Sequence, residues 1–319
     1  MKRRHFAALA SAVAAATLVP AALAQDRTLK ILIGFPPGGS ADTIARLLAE
    51  KMRASLNQNV VVDNKPGAAG RLVLGELKRA APDGQTLVLS PSGAMVIAPW
   101  LYKLDYDPVK DFTPVSRIVT FDFAVTAGPG APQGDLKTVL AWMKANPNKA
   151  SYGTSGAGTV PHFAGMLLSQ AAGTPLTHVA YRGGAPAAQD LIGGQIPLMV
   201  DTASETLEHH KAGKVRILAV TGETRMKALP DVPTLKEAGI NTSADAFFGL
   251  YGPAGMAPDV VARIDRAVAD ALKDPVIQEK IFTYGLVPNH APSAQLAATQ
   301  VEHLKKWEAP IKASGFKAE

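Results

Sequence analysis

Residues 31–52 read ILIGFPPGGSADTIARLLAEKM, and they predict a buried strand, a Pro/Gly loop and an amphipathic helix in direct succession. Gly38 and Gly39 allow a tight turn that brings backbone N–H groups close to a ligand. Ser40 is a suitable N-cap, and the start of the helix adds unpaired N–H donors and the positive end of the helix dipole. Because the loop contains no lysine or arginine, we interpret it as a backbone site for a small anion.

The spacing of this loop is close to that of a nucleotide-binding loop, but one required residue is missing. Gly34 and Gly39 stand at the G-x-x-x-x-G spacing, and Ser40 follows where such a loop needs its phosphate-binding lysine. The dinucleotide pattern G-x-G-x-x-G is not present in this stretch either. Both classes of nucleotide site are therefore excluded, and a simple structural turn is the alternative that stays open for the two glycines.

A second loop of the same kind lies in the middle of the chain, where the sequence reads SYGTSGAGT at 151–159. A short strand is predicted before this loop and a helix after it, and the loop again has no basic residue. Open α/β sheets bind ligands at the carboxyl ends of their strands. We therefore predict that both loops face one cleft, where two helix N-termini hold one carboxylate or two.

Further candidate residues lie beside these loops or at the end of a later strand. His162 follows the second loop, and its imidazole is predicted either to contact a ligand or to make a structural bond to the loop. Tyr181 and Gly183 follow another apolar strand. Asp201 ends the next strand, where its carboxylate suits an ammonium or hydroxyl group of a ligand, or the cap of the following helix.

Strands and helices alternate along most of the chain, which predicts an α/β fold with mostly parallel sheets flanked by helices. Two aromatic segments, 112–126 and 246–252, are predicted to cross between two domains. We therefore predict a discontinuous first domain over 25–125 and 247–319, and an inserted second domain over 126–246. This plan is typical of two-lobed proteins that close on a ligand by rotation about the crossing strands.

The first 24 residues have the pattern of an export signal. Lys2, Arg3 and Arg4 precede an apolar stretch, and ALA at 22–24 provides a cleavage site. The paired arginines allow the twin-arginine route, but the general secretory route is favoured. Either route predicts a location in the bacterial periplasm.

Composition excludes other classes of function. Removal of the signal takes away three of the 33 Lys and Arg residues and none of the 27 Asp and Glu residues, which leaves a net charge of +3. Basic residues are scattered and aromatic residues make up 6% of the chain, so no nucleic-acid surface is predicted. The chain has no cysteine for a thiolate metal site, and the adjacent His209 and His210 face different directions on a helix, so no metal site is predicted.

A serine hydrolase is an alternative from another functional class. The sequence GTSGA at 153–157 approaches the nucleophile motif G-x-S-x-G with Ser155 as the nucleophile, but alanine stands in place of the last glycine. The histidines that follow do not lie in loops beside an acidic partner, as a catalytic triad requires. The hydrolase is therefore the less favoured interpretation.

Seven short motifs together resemble a known family. They are GFPPGGSAD (34–42), NKPGA (64–68), APDG (81–84), GAGT (156–159) with His162, YRG (181–183), LPDVPT (229–234) and GPAG (252–255). In these motifs the chain is similar to the Bug receptors, the periplasmic solute-binding proteins of tripartite tricarboxylate transporters. The resemblance extends, in the same order, over nearly all of the chain after the export signal.

The resemblance implies a two-domain Venus-flytrap receptor that binds a small carboxylate through backbone amides and ordered waters, with no catalysis and no cofactor. It implies the membrane permease subunits of such a transporter as partners, and we expect a monomer. Carried over by position, the ligand-binding residues are Phe35, Gly38, Gly39, Ser40 and Asp42 in the first loop, Ser155, Gly156, Gly158, Thr159 and His162 in the second, and Tyr181, Gly183 and Asp201 on the remaining wall.

The chain departs from the family pattern at a few positions. Ala69 replaces a usual glycine, and Arg182 replaces a frequent lysine. Ser92 lies in SPSG at 90–93, an unusual variant of the loop after the third strand, which we expect to tune which ligand is accepted. The class of carboxylate stays open among dicarboxylates, tricarboxylates, amino acids and aromatic acids, and a sensory module that signals to a membrane kinase is a further alternative.

Overall fold

The computed structural model describes residues 28–316, so the predicted export signal at 1–24 lies outside the described residues. This part of the chain contains ten strands: β1 (Leu29–Ile33), β2 (Val60–Asn64), β3 (Thr86–Pro91), β4 (Phe112–Ala127), β5 (Ser151–Thr154), β6 (Thr177–Ala180), β7 (Leu198–Thr202), β8 (Arg216–Val220), β9 (Asp245–Pro253) and β10 (Val287–Pro292). Its α-helices are α1 (Ser40–Leu56), α2 (Arg71–Lys78), α3 (Gly93–Val96), α4 (Leu136–Ala145), α5 (Val160–Ala171), α6 (Gly184–Ile192), α7 (Leu207–Lys211), α8 (Pro258–Lys273), α9 (Pro275–Thr283) and α10 (Ser293–Ser314).

The strands form two groups that share β4. In the first group, β1 lies between β2 and β3 and pairs with both in parallel, while β9 pairs antiparallel with β3 and with β4. In the second group, β5 lies between β6 and β7 and pairs with both in parallel. Because parallel neighbours require a crossover helix, both groups follow from the predicted alternation of strands and helices.

The 16-residue strand β4 runs through both groups, as expected for a crossing segment. Its first part pairs with β9 and β10, and its last residues, from Phe123 onward, pair antiparallel with β7 and β8. β9 starts at Asp245, which pairs with Asp122, and stays within the first group along its whole length. The return of the chain is therefore made by the segment before β9, where the Ala244 N–H donates to Thr221 O at 2.9 Å.

Amphipathic helices cover the sheet. In α1, Ile44, Leu48 and Met52 are buried with at most 1% exposure, while Arg53 on another side of the helix is exposed. This stripe anchors the loop between β1 and α1 to the core. Within residues 28–316, no helix combines the length and the apolar character that a membrane crossing needs.

Most predicted elements are present, and the differences lie at their ends. The helix α6 begins at Gly184, so its start reaches the loop that follows β6. β10 was not predicted, since its sequence VPNHAP has two prolines and little alternation. The predicted domain limits, 25–125 with 247–319 and 126–246, stay a prediction.

Candidate functional site

A cavity lies where loops from both strand groups meet, with a volume of about 690 Å³ including its open mouth. Loops after β1, β3, β5 and β6 contribute to it, together with the end of β7. The two groups are in contact here, because a Cβ atom at Gly183 would lie 2.9 Å from Pro36 Cδ. Seven residues predicted from the sequence line the cavity: Phe35, Gly39, Ser40, Ser155, Thr159, Gly183 and Asp201.

The other seven predicted residues are not part of this lining: Gly38, Asp42, Ser92, Gly156, Gly158, His162 and Tyr181. Several of them hold the loops in shape. The Tyr181 hydroxyl donates to Asp190 Oδ2 at 2.8 Å, and the Gly156 carbonyl accepts from Thr159 Oγ1 at 2.7 Å. The structure thus brings one half of the predicted set to the cavity surface, and the other half lies outside the lining.

The first loop is organised by an aspartate. Asp42, which is buried, accepts from the Gly38 N–H at 3.0 Å and from Arg46 Nε at 3.0 Å. These bonds from Arg46 and Gly38 oppose the effect of burial and leave the pKa of Asp42 below its usual value. The carboxylate therefore stays ionised as a fixed brace of the loop.

The predicted N-cap at Ser40 is wrong by one residue. Gly39 occupies the N-cap position, with extended backbone and no side-chain hydrogen bond, and Ser40 is the first residue of α1. The Asp42 carboxylate already bonds the loop backbone at Gly38, so the turn needs no capping hydroxyl. Since Thr43 is the first residue whose N–H bonds within the helix, the N–H groups before it face the cavity end of α1.

In the second loop, Thr159 is the N-cap of α5, and its hydroxyl accepts from the His162 N–H at 3.4 Å. The imidazole of His162 is buried, and its Nδ1 accepts from the Gly158 N–H at 3.2 Å. Its ring stacks on that of His178 with 3.9 Å between centroids. Of the two roles left open for His162, the structure therefore contains the bond to the loop.

Burial keeps this imidazole pair neutral. Loss of solvent, with a smaller effect of the neighbouring His178, lowers the pKa of His162 to about 3. Burial also lowers the pKa of His178 to about 4, and its Nε2 lies 2.7 Å from Thr154 Oγ1. Neither ring lines the cavity, so the pair supports the loop between β5 and α5 without adding positive charge to the cavity.

Two acidic side chains line the cavity. Asp201, at the end of β7, accepts from the Ser155 N–H at 2.5 Å and from the Thr202 N–H at 2.8 Å. Glu205 lies at the end of the 3-10 turn Ala203–Glu205, and its Oε1 is 3.4 Å from the Ser40 nitrogen. Each loop that was predicted as an anion site is therefore touched by a carboxylate of the chain itself.

Both acids are shifted toward the protonated form. Burial raises the pKa of Asp201 to about 6, although the N–H groups of Thr202 and Ser155 oppose this shift. Burial also raises the pKa of Glu205 to about 7, and the charge of Asp201 adds to it. No lysine, arginine or histidine is among the described residues that line the cavity, so no cationic side chain there offsets the two carboxylates.

Positive potential at the cavity comes from the backbone. The first residues of α1, α5 and α6 all belong to the lining, at 40–41, 160–161 and 184–186. These helices have 17, 12 and 9 residues, and each directs the positive end of its dipole toward the cavity. Pro161 and Pro186 carry no N–H, so the donors at the starts of α5 and α6 are those of their neighbours Val160, Gly184 and Ala185. This arrangement can bind the carboxylate of a ligand without a charged side chain.

Four phenylalanines give the cavity an apolar wall: Phe35, Phe121, Phe123 and Phe248. The rings of Phe121 and Phe248 lie 4.7 Å apart, on the neighbouring strands β4 and β9. Sequence reasoning identified the aromatic strands but not their contact with the cavity. It also missed Glu205, since a lone glutamate in a short turn has no recognisable pattern.

Ser92 combines a buried hydroxyl with no hydrogen-bond partner among the described residues, although its neighbours Pro91 and Gly93 line the cavity. We expect Ser92→Ala to raise the free energy of unfolding by about 1 kcal/mol, because it removes an unsatisfied buried hydroxyl. Urea denaturation measures this change. Ser90→Ala is the control, since Ser90 Oγ donates to Pro91 O at 2.9 Å and its loss destabilises the protein. A less stable Ser92→Ala variant contradicts the prediction.

Comparison with known proteins gives consistent matches over almost the whole chain. The sequence model of the family "Tripartite tricarboxylate transporter family receptor" matches residues 44–316. Among curated proteins, the "UPF0065 protein in gbd 5'region" of Cupriavidus necator is 34% identical over 327 residues, which cover 99% of this chain and 99% of the relative.

Solved structures agree with this match. A structure of the periplasmic binding protein BugD is 33% identical, with a TM-score of 0.87, and the alignment covers 92% of this chain and 99% of that one. MatC from Rhodopseudomonas palustris, solved with bound malate, is 30% identical with a TM-score of 0.84, over 89% of this chain and 98% of that one. The family and its fold are thus found independently from sequence and from structure.

Proposed function

This chain belongs to the receptor family of tripartite tricarboxylate transporters, and we propose that it captures a small carboxylate in the cavity and delivers it to a membrane permease. One observation carries the proposal: three helix N-termini from both strand groups face one cavity, and no cationic side chain within residues 28–316 lines it. Malate in the structure of MatC supports the same chemistry, since malate is a small dicarboxylate.

Capture requires that the ligand contacts two lobes at the same time. We propose that the first lobe comprises 25–125 and 247–319, the second comprises 126–246, and β4 connects them. The cavity supports this division, because α1 belongs to the proposed first lobe while α5 and α6 belong to the second. A carboxylate that bonds N–H groups of both lobes favours the closed state through contacts that the open state lacks.

The family and the basic and apolar pattern of residues 1–24 support a proposal for the place of action. We propose that the mature protein is periplasmic, after export through the general secretory route and removal of residues 1–24. Its partners are then the permease subunits of a tripartite transporter, which accept ligand from the closed receptor. We propose that it acts as a monomer.

We propose that the protein has no hydrolase activity. The Ser155 N–H donates to Asp201, and the described residues that line the cavity include no histidine that could act as a general base. His162, close to Ser155 in sequence, is held by the Gly158 N–H and is neutral. We therefore expect no turnover of esters or amides by the natural protein, and no change in the Ser155→Ala variant.

A carboxylate panel tests the receptor function. Succinate, malate, adipate, citrate, amino acids and aromatic acids are added to the protein, and the melting temperature is measured. A ligand at about 100 times its Kd adds about 2.7 kcal/mol of stability, which raises the melting temperature by roughly 5 °C in a chain of this size. No shift with any carboxylate contradicts the proposal.

A blocked cavity provides the specific control. Ser40 lines the cavity at the start of α1, whereas Ser55 is exposed near the other end of the same helix. We expect Ser40→Trp to abolish the ligand-induced shift and Ser55→Trp to preserve it. Equal shifts in the two variants would place binding outside this cavity.

A further inference from the structure

Glu205 gives the cavity a negative end that a plain dicarboxylate does not match. We infer that the ligand carries a cationic nitrogen as well as a carboxylate, and that Glu205 is the residue that selects it. This inference rests on the proposed receptor function. It narrows the ligand from carboxylates in general to zwitterions, the chemical class of the amino acids.

The position of Glu205 is fixed by the starts of two helices. A Cβ atom at Gly184, the first residue of α6, would lie 2.5 Å from Glu205 Cδ, so the carboxyl group packs directly on that backbone. On the other side, a Cβ atom at Gly39 would lie 3.5 Å from Glu205 Oε1. Glu205 therefore sits between the first loop and α6 and lines the cavity there.

Asp201 adds a second carboxylate to the same end of the cavity. Its two oxygens accept from the N–H groups of Ser155 and Thr202, so its hydrogen bonds favour the ionised form. Glu205 is held by weaker donors, since the Ser40 N–H approaches its Oε1 at 3.4 Å and the Thr202 hydroxyl is the other donor beside it. Glu205 is thus the acid with capacity left for a donor group of the ligand.

The charges of a bound dianion and of this acidic pair are of the same sign. Like charges a few ångströms apart in a partly dehydrated cavity repel, and no lysine, arginine or histidine of the described lining offsets them. A zwitterion avoids this repulsion because its two ends meet opposite fields. Its carboxylate faces the start of α5 at 160–161, and its ammonium group donates to Glu205 beside the start of α6 and lies near Asp201.

The apolar wall is compatible with the same ligand class. The rings of Phe121 and Phe248 line the cavity and offer contact to the hydrocarbon part of a ligand, and a ring face also attracts a cationic nitrogen. A ligand composed of carboxylate, ammonium group and hydrocarbon body therefore finds a complementary surface for each part.

Matched ligand pairs test the inference, since their members differ by one ammonium group. Succinate is compared with L-aspartate, glutarate with L-glutamate, and 3-phenylpropanoate with L-phenylalanine, by calorimetric titration at pH 8, where both acids are mainly ionised. We expect the amino member of at least one pair to bind at least ten-fold more tightly than its partner. Glu205→Gln removes the charge at nearly constant size and is expected to abolish that preference.

Glu208→Gln is the matched control, because Glu208 is exposed on α7 and pairs with Lys211 at 2.7 Å. It is expected to keep the preference of the natural protein. Tight binding of the plain carboxylates with no amino preference, or a preference unchanged in Glu205→Gln, overturns the inference and leaves the receptor function intact. No binding of any member, together with no response in the wider carboxylate panel, overturns the receptor function itself.

Discussion

Gly34→Ala is expected to destabilise the protein by about 3 kcal/mol and to weaken ligand binding, the largest loss that we predict for a single methyl group. Gly34 directly follows β1, and a Cβ atom there would lie 2.4 Å from Gly70 Cα and 3.1 Å from Val73 Cγ2. The nearest atom belongs to the backbone, so it cannot rotate away as the end of a flexible side chain can. The loops after β1 and β2 must separate to accept the methyl group.

Separation of these loops also disturbs the cavity. Phe35 follows Gly34 and lines the cavity, and its ring packs close to Gly70, where a Cβ atom would lie 3.1 Å from Phe35 Cε2. Ala69, next to Gly70, lines the cavity as well. A shift of a few tenths of an ångström therefore reaches residues of the site, and we expect weaker binding in addition to lower stability.

Gly39→Ala is the matched control for this variant. Gly39 has φ −78°, which any residue adopts, and the nearest side-chain atom to its Cβ position is Glu205 Oε1 at 3.5 Å. At an N-cap the change costs about 1 kcal/mol or less. Urea denaturation measures the free energy of unfolding of both variants, and we expect the larger loss for Gly34→Ala. Equal costs at the two positions contradict the packing argument for Gly34.

The elements that the sequence predicted well are those with a local signal. The apolar stripe of Ile44, Leu48 and Met52 is a property of one helix, and the aromatic and β-branched run of β4 is a property of one strand. Glycine, proline and small polar residues marked the loops after β1 and β5. These loops reach the cavity because the carboxyl ends of parallel strands lie at one edge of the sheet.

The features that the sequence did not predict depend on contacts between distant segments. Glu205 becomes part of the site because the turn after β7 meets the start of α1, 165 positions away in the chain. His162 points to its own loop instead of the cavity because the Gly158 N–H is within reach of its Nδ1. Whether His162 bonds a ligand or its own loop depends on such distances in the folded protein, and a single sequence does not give them.

The acidic pair of the cavity predicts an unusual pH dependence of stability. The pKa of Glu205 is about 7 in the folded protein against 4.5 for an unperturbed glutamate, and that of Asp201 is about 6 against 3.8. At a pH between its unfolded and its folded pKa, each group is protonated in the folded state and ionised in the unfolded state. The contribution of both groups to stability therefore falls as pH rises from about 4 to about 7. Above pH 7 both groups are ionised in the folded state, and the full free-energy cost of burying the two charges lowers the stability.

Other buried groups titrate in the same range. Burial raises the pKa of Asp122 to about 6, which lowers stability with rising pH in the same direction. The lowered pKa values of His162 and His178 act in the opposite direction, because their unfolded forms bind protons that the folded imidazoles do not. The pH profile of the natural protein is therefore a sum of opposing contributions, and the effect of Glu205 has to be read from a difference between variants.

Glu205→Gln provides that difference, since the amide cannot ionise. We expect the variant to be more stable than the natural protein by about 2 kcal/mol at pH 8 and nearly equal to it at pH 4, because a shift of one pKa unit corresponds to about 1.4 kcal/mol and the amide keeps some polar burial cost. Urea denaturation without ligand at pH 4, 6 and 8 measures the difference, with exposed Glu208→Gln as the variant expected to show none. A Glu205→Gln variant less stable than the natural protein at pH 8 means that the ionised carboxylate is held favourably by the helix starts. In that case the Glu205 carboxylate is a structural link between the turn after β7 and the start of α1, and a ligand that binds the Ser40 N–H has to displace it.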